Sequence, residues 1–209
     1  MLSDTSTILR KEIKYIIPFD KLNIFYHWLN SKKNILPIHE TRLVHSIYFD
    51  DIYFKAATDN LSGIENREKF RIRWYGEHQD AKVNFEVKKK IYLHTAKLTF
   101  NTNFLYSTID IYNFLSLNSP LTSLLKEKML KLIGKNYLTP TLQTTYLRSY
   151  YSFSDIRLTF DKSLSYKSFQ TNDVKKDTDC ILEVKFHDKD QENVRDLLDN
   201  FEFVISRHS

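Results

Sequence analysis

Between positions 67 and 74 the chain reads Arg67-Glu68-Lys69-Phe70-Arg71-Ile72-Arg73-Trp74, with a cation at every odd position. Successive side chains of an extended strand point to opposite faces. A strand here therefore carries four cations on one face and a mostly bulky, apolar set on the other. Four like charges along one strand face repel each other unless something anionic lies across them. Few folds tolerate such a strand, and the pattern recurs. In 82–90, Lys82, Asn84, Glu86, Lys88 and Lys90 share a face, opposed by Val83, Phe85 and Val87. Lys97 is out of phase with Ala96 and Leu98, while Tyr146, Arg148 and Tyr150 go together. Asp155, Arg157, Thr159 and Asp161 oppose Ile156, Leu158 and Phe160; Glu183 and Lys185 oppose Leu182, Val184 and Phe186. Glu12 and Lys14 oppose Ile13, Tyr15 and Ile17.

One such strand could simply show its polar face to water. Six with the same basic bias call for a different arrangement. Period-2 segments are expected at about 9–17, 42–50, 67–76, 82–92, 96–101, 141–152, 155–161 and 180–187. Helical patterns interrupt them. One follows Pro18, with Asp20 as its N-cap and Leu22, Phe25, Tyr26 and Leu29 on one stripe. Others are expected over 51–61, over 108–134 as two short helices broken near Pro120, and over 189–200 with Val194, Leu197 and Leu198 inward. The helices need an apolar sheet face to cover. The expectation is an α+β fold: a closed antiparallel β-barrel of about eight strands, charges inside and helices packed outside. Bare cations cannot line an interior cheaply, so it must hold water and a polyanion.

The 209 residues suit a single domain, 1–209, and 42% hydrophobic content can fill its core. The balance of 31 basic to 26 acidic residues, a net +5, suits an anionic partner. Cys180, the single cysteine, excludes an internal disulfide and a cysteine-based zinc cluster, and reads as a small core residue. Met1 to Lys14 has no apolar h-region and no run reaches the length of a membrane span, so a cytoplasmic protein is expected. The seven histidines lack metal-binding spacing, and Gly-x-Ser-x-Gly, Walker A and Gly-x-Gly-x-x-Gly motifs are missing. Side chains, not a glycine cradle, must hold any phosphate. Lys88-Lys89-Lys90 could pass for a nucleic-acid patch, but alternation sends Lys89 to the opposite face, and nucleic acid is not an expected partner. Tyr48, Tyr146 and Tyr150 run in phase with the charges and either bond phosphate or fill the wall.

Seven short stretches, in order, carry a family resemblance. They are Arg10-Lys11-Glu12-Ile13-Lys14-Tyr15, Ser46-Ile47-Tyr48-Phe49-Asp50, Arg71-Ile72-Arg73-Trp74-Tyr75-Gly76, Phe85-Glu86-Val87-Lys88, Tyr146-Leu147-Arg148, Ile156-Arg157-Leu158-Thr159-Phe160-Asp161 and Leu182-Glu183-Val184-Lys185-Phe186. Together they resemble the VTC domain, the polyphosphate polymerase domain of the vacuolar transporter chaperone family, within the triphosphate tunnel metalloenzyme (CYTH-like) superfamily. The resemblance implies a tunnel of about eight antiparallel strands in which ATP gives its γ-phosphate to polyphosphate with Mn²⁺ or Mg²⁺ bound. It assigns phosphate binding to Lys14, Arg71, Arg73, Lys88, Lys97, Arg148 and Arg157, adds Lys185 on the same face, and gives the metal to Glu183, with Glu12 and Glu86 as further candidates. Arg71, Arg73, Arg148, Arg157 and Lys88 are the implied catalytic cations, since phosphoryl transfer asks a protein chiefly to position groups and neutralise charge.

Three departures accompany the resemblance. Arg10 stands where the wider superfamily often has a first Glu, and Lys90 where eukaryotic members tend to have His. The family also continues beyond Ser206-Arg207-His208-Ser209 into a segment whose Lys helps close the tunnel, a place Arg207 could take. The readings left open are a polymerase, a triphosphate hydrolase with the same site, and a polyphosphate- or inositol-phosphate-binding sensor. A membrane partner protein is compatible with each.

Overall fold

The computed structural model describes residues 10–77, 81–91, 94–108, 127 and 138–206. Its strands are β1 (Lys11–Ile17), β2 (Leu36–Asp50), β3 (Arg67–Tyr75), β4 (Lys82–Ile91), β5 (His94–Leu105), β6 (Thr139–Phe153), β7 (Ile156–Ser168), β8 (Val174–Lys176), β9 (Cys180–Phe186) and β10 (Ile205–Ser206). Three helices accompany them: α1 (Leu22–Ser31), α2 (Lys55–Leu61) and α3 (Gln191–Leu197). All eight expected strands form. The long loop-free strands follow from the Phe, Tyr, Val and Ile that alternate along them.

Hydrogen bonding links the strands in the order β10-β1-β9-β7-β6-β2-β3-β4-β5, with β8 on β7. The described pairs β1–β9, β1–β10, β3–β4, β4–β5 and β7–β9 are antiparallel. The expected closure into a barrel is not seen: among the described residues β10 and β5 are the two ends of the path, each paired on one side alone. Closure needs a ladder between the end strands, and β10 is only two residues long.

The chain forms two compact units. The first holds residues 45–144 and 167–173. Ile47, Phe49, Phe70, Ile72, Trp74, Val83, Phe85 and Val87, all buried, form its core. They are the out-of-phase partners of the basic residues, as alternation requires. The second holds residues 10–44, 145–166 and 174–206. Its sheet face of Ile156, Leu158, Phe160, Leu182, Val184 and Phe186 is covered by Phe25, Trp28 and Leu29 of α1 and by Val194 and Leu197 of α3. Phe25 stacks on Phe160 with ring centroids 4.3 Å apart. Each such side chain, fully removed from water, contributes about 1.5–3 kcal/mol.

Asp20 does not cap α1. It sits in a 3-10 turn over Phe19–Lys21, the N-cap position is Lys21, and no side chain caps the helix. Trp28 is buried in the stripe with Phe25 and Leu29, at i, i+3 and i+4, while the expected Tyr26 is 36% exposed. Cys180 is buried, and burial pushes its thiol up to about 11, which suits a core residue. Apart from Thr108 and Glu127, the helices expected over 108–134 lie outside the described residues, as do His78, Arg207 and His208. Among the described residues no helix is long and apolar enough to cross a membrane.

Candidate phosphate-binding faces

In the first unit the polar residues of β2, β3, β4 and β5 share one sheet face. Register sets Lys69 opposite Lys88 and Lys88 opposite Lys97, a row of three lysines across three strands. The adjacent row is Arg71, Glu86 and Thr99, and the next is Arg73, Asn84 and Asn101. Glu86, 3% exposed, holds this face together. Its Oε2 accepts from Arg71 Nε at 2.7 Å and pairs with Arg71 Nη2 at 2.6 Å, while Oε1 takes Lys97 Nζ at 2.6 Å. Arg71 Nη1 also donates to the Tyr48 hydroxyl at 3.1 Å, and Arg73 Nε donates to Ser46 Oγ at 2.9 Å.

Positive charge dominates the electrostatics. Burial resists ionisation of Glu86, yet Arg71, Arg73 and Lys97 outweigh it and bring the carboxyl down to about 2. Burial likewise opposes a charged Tyr48, yet Arg71, Arg73 and Lys69 pull its hydroxyl down to about 7. Burial lowers Lys97 against the pull of Glu86, with Arg71 and Arg73 adding to the lowering. A field that draws a phenol toward neutral ionisation is one that favours a polyanion.

In the second unit the polar rows cross β1, β9 and β7. One is Glu12, Lys185 and Arg157; the next is Lys14, Glu183 and Thr159. Glu183, 6% exposed, takes Lys185 Nζ at 2.5 Å and Lys14 Nζ at 3.5 Å. Glu12 faces the same two lysines, at 3.6 Å from Lys185 Nζ and 3.4 Å from Lys14 Nζ. Burial disfavours the Glu183 charge, but Lys185, Lys14 and Arg148 hold the carboxyl well below its usual range. Arg148 forms a fork with Asp161, Nε to Oδ1 at 2.5 Å and Nη2 to Oδ2 at 2.6 Å, which outweighs burial and raises its pKa further. Its guanidinium lies 5.0 Å from the centroid of Tyr146. Tyr150 receives Arg42 Nε at its hydroxyl at 3.2 Å and has Arg157 over its ring at 5.9 Å.

The residues expected in one site thus fall into two sets. Arg71, Arg73, Lys88, Lys97 and Glu86 gather on the first unit's face, and Lys14, Arg148, Arg157, Lys185, Glu12 and Glu183 on the second's. Three partners were missed: Asp161 for Arg148, Ser46 for Arg73, and Arg42 for Tyr150. Phase alone could have suggested Asp161, since it alternates with Phe160 as Arg148 does with Leu147. Ser46 and Arg42 give no such signal, because their roles depend on strand neighbours far apart in sequence.

Among the described residues no group of three or more His, Cys, Asp or Glu could cage a metal ion. Glu183 and Glu12, tied to the same lysines, offer two carboxylate groups of hard oxygen donors. That set fits Mg²⁺ or Mn²⁺ if phosphate oxygens and water supply the remaining positions, as these ions commonly accept.

The VTC domain model matches residues 9–209. No curated protein matches the chain. Among solved structures, a candidate adenylate cyclase of Bacillus halodurans is 15% identical with a TM-score of 0.59, over 97% of this chain and 96% of that one. HpAC1 from Hippeastrum, a candidate adenylyl cyclase with a dominant triphosphatase activity, is 13% identical with a TM-score of 0.54, over 97% and 91%. A chain in the structure of the Schizosaccharomyces pombe Mediator head module is 7% identical with a TM-score of 0.55, over 95% and 98%. At these identities the likeness is one of fold.

Proposed function

The chain belongs to the VTC domain family, and from that membership and its two basic faces we propose that it is a metal-dependent polyphosphate polymerase. In this reaction a terminal oxygen of polyphosphate attacks the γ-phosphorus of ATP, the bond from that phosphorus to the β,γ-bridging oxygen breaks, and ADP leaves. The observation that carries the reading is the excess of cations around Glu86, strong enough to hold its carboxyl at about 2 and the Tyr48 hydroxyl at about 7. Arg71, Arg73, Arg148 and Arg157 clamp non-bridging oxygens bidentately, and Lys14, Lys88, Lys97 and Lys185 add point charges. Asp161 and Glu86 keep their arginines aimed. Glu183, with Glu12, would hold Mn²⁺ or Mg²⁺, which would neutralise charge on the terminal phosphate.

A second reading has water replace polyphosphate as the nucleophile. The triphosphatase activity of the similarly folded Hippeastrum protein favours it. Purified chain incubated with ATP and Mn²⁺ or Mg²⁺, with and without a short primer, separates the two. Long polymer with ADP is expected; orthophosphate without polymer would replace the polymerase with the hydrolase. Tight phosphate binding with no product would leave a sensor. Arg71→Ala should lower turnover by about 10²–10³-fold, as loss of one donor to a developing charge does elsewhere.

A further inference from the structure

Two oxygens on the second unit's polar face are buried and make no hydrogen bond among the described residues: Glu183 Oε1 and Thr159 Oγ1. Their residues are 6% and 4% exposed. Thr159 and Glu183 stand directly opposite each other in the β7–β9 ladder, so both side chains project from one face of the sheet. Facing side chains of an antiparallel pair have Cβ atoms about 4.5–5.5 Å apart, close enough for one ion to touch both. A buried hydroxyl opposite a carboxylate would ordinarily donate to it, and this one does not. Lys185 Nζ stands 2.5 Å from Glu183 Oε1 and Lys14 Nζ 3.5 Å from Oε2. The two lysines balance the Glu183 charge but give the Thr159 hydroxyl no bond.

Strand propensity accounts for a β-branched residue at 159 but not for its hydroxyl. Valine has the same branching and would bury no polar atom, so packing alone favours it over threonine. The first unit supplies a contrast. There Thr99 faces Glu86 in the same manner, but Thr99 is exposed, and Arg71 and Lys97 take both Glu86 oxygens.

We propose that the Thr159 hydroxyl is a neutral oxygen ligand for the divalent ion assigned above to Glu183. The proposal rests on that metal reading and deepens it, adding a ligand from the neighbouring strand. Mg²⁺ and Mn²⁺ take hard oxygen donors, and a Ser or Thr hydroxyl fills this role beside phosphates in P-loop enzymes. A cation suits both oxygens at once, whereas a phosphate oxygen placed between them would meet the Glu183 charge.

The test is equilibrium dialysis of the whole chain against Mn²⁺, without and with tripolyphosphate, comparing wild type with Thr159→Val, Thr159→Ser and Glu183→Gln. Thr159→Val should weaken Mn²⁺ retention about tenfold, as loss of a supporting group at a metal site commonly does, while Thr159→Ser stays within about twofold of wild type. Tripolyphosphate retention in EDTA should be the same for Thr159→Val and wild type. In urea unfolding, Thr159→Val should be no less stable than wild type in EDTA, and added Mn²⁺ should stabilise it less. Wild-type Mn²⁺ retention by Thr159→Val, with loss in Glu183→Gln, would overturn the Thr159 assignment and leave the metal reading standing. A serine variant as weak as the valine one would overturn it as well. So would weaker tripolyphosphate retention by Thr159→Val in EDTA, since the hydroxyl would then meet phosphate. If wild type retains no Mn²⁺ under either condition, the metal reading falls and the assignment with it. Thr159→Ala carries the same comparison should the valine variant not fold.

Discussion

Arg148 and Asp161 are both nearly enclosed, with side chains 14% and 8% exposed, so each depends on the other to remain charged. Asp161→Asn would leave a buried guanidinium without its counter-charge. A loss of about 3–5 kcal/mol is expected in urea unfolding. Thr159 behaves in the opposite way. Its hydroxyl is buried with no hydrogen-bond partner among the described residues, so Thr159→Val should leave stability unchanged or raise it by about 1 kcal/mol. Tyr48 gives a pH signature. Its hydroxyl ionises at about 7 in the fold, against about 10 in the unfolded chain. Between those values the unfolded state holds one more proton, so this group's contribution to stability grows as pH rises from 7 to 10 and is lost as pH falls through 7. Ultraviolet difference absorbance should show a phenolate appearing near pH 7, and Tyr48→Phe should abolish it.

At the level of elements, α1 separates what packing requires from what local chemistry suggests. Phe25 is fully buried against Phe160, and Phe25→Ala should cost about 3–5 kcal/mol, read as a drop in Tm. Asp20→Ala should change Tm little, because Asp20 caps nothing. The same contrast explains what could be read in advance. Period-2 alternation placed Arg71 and Arg73 against Ile72 and Trp74, and the structure separates them onto basic and apolar faces as alternation demands. Lys89 was expected opposite Lys88, and it pairs with Glu68 on that other side. Alternation says nothing about lateral order, however. The row in which Lys69 faces Lys88 and Lys88 faces Lys97, the open ends at β5 and β10, and the division of the cations between two units all depend on register and long-range pairing. The α1 cap was missed because a proline-led 3-10 turn displaced the helix start.

For the molecule as a whole, the net charge of +5 and the two basic faces predict a response to polyanions. Tripolyphosphate that binds only the folded state should raise Tm, by an amount that falls as salt is added. Unit composition also differs in kind. In the first unit β3, β4 and β5 are consecutive and pair as neighbours, so much of it assembles from local contacts. In the second, β1 lies between β9 and β10, and Lys11 meets Phe186 across 175 positions of sequence. Loops that long must close before their pairing is rewarded, which slows folding. On the ribosome β1 is made early and its partner late, so it must wait with its apolar face and both edges uncovered until Cys180–Phe186 emerges. That interval, rather than the finished fold, is where this chain is most open to mispairing and to rescue by a chaperone.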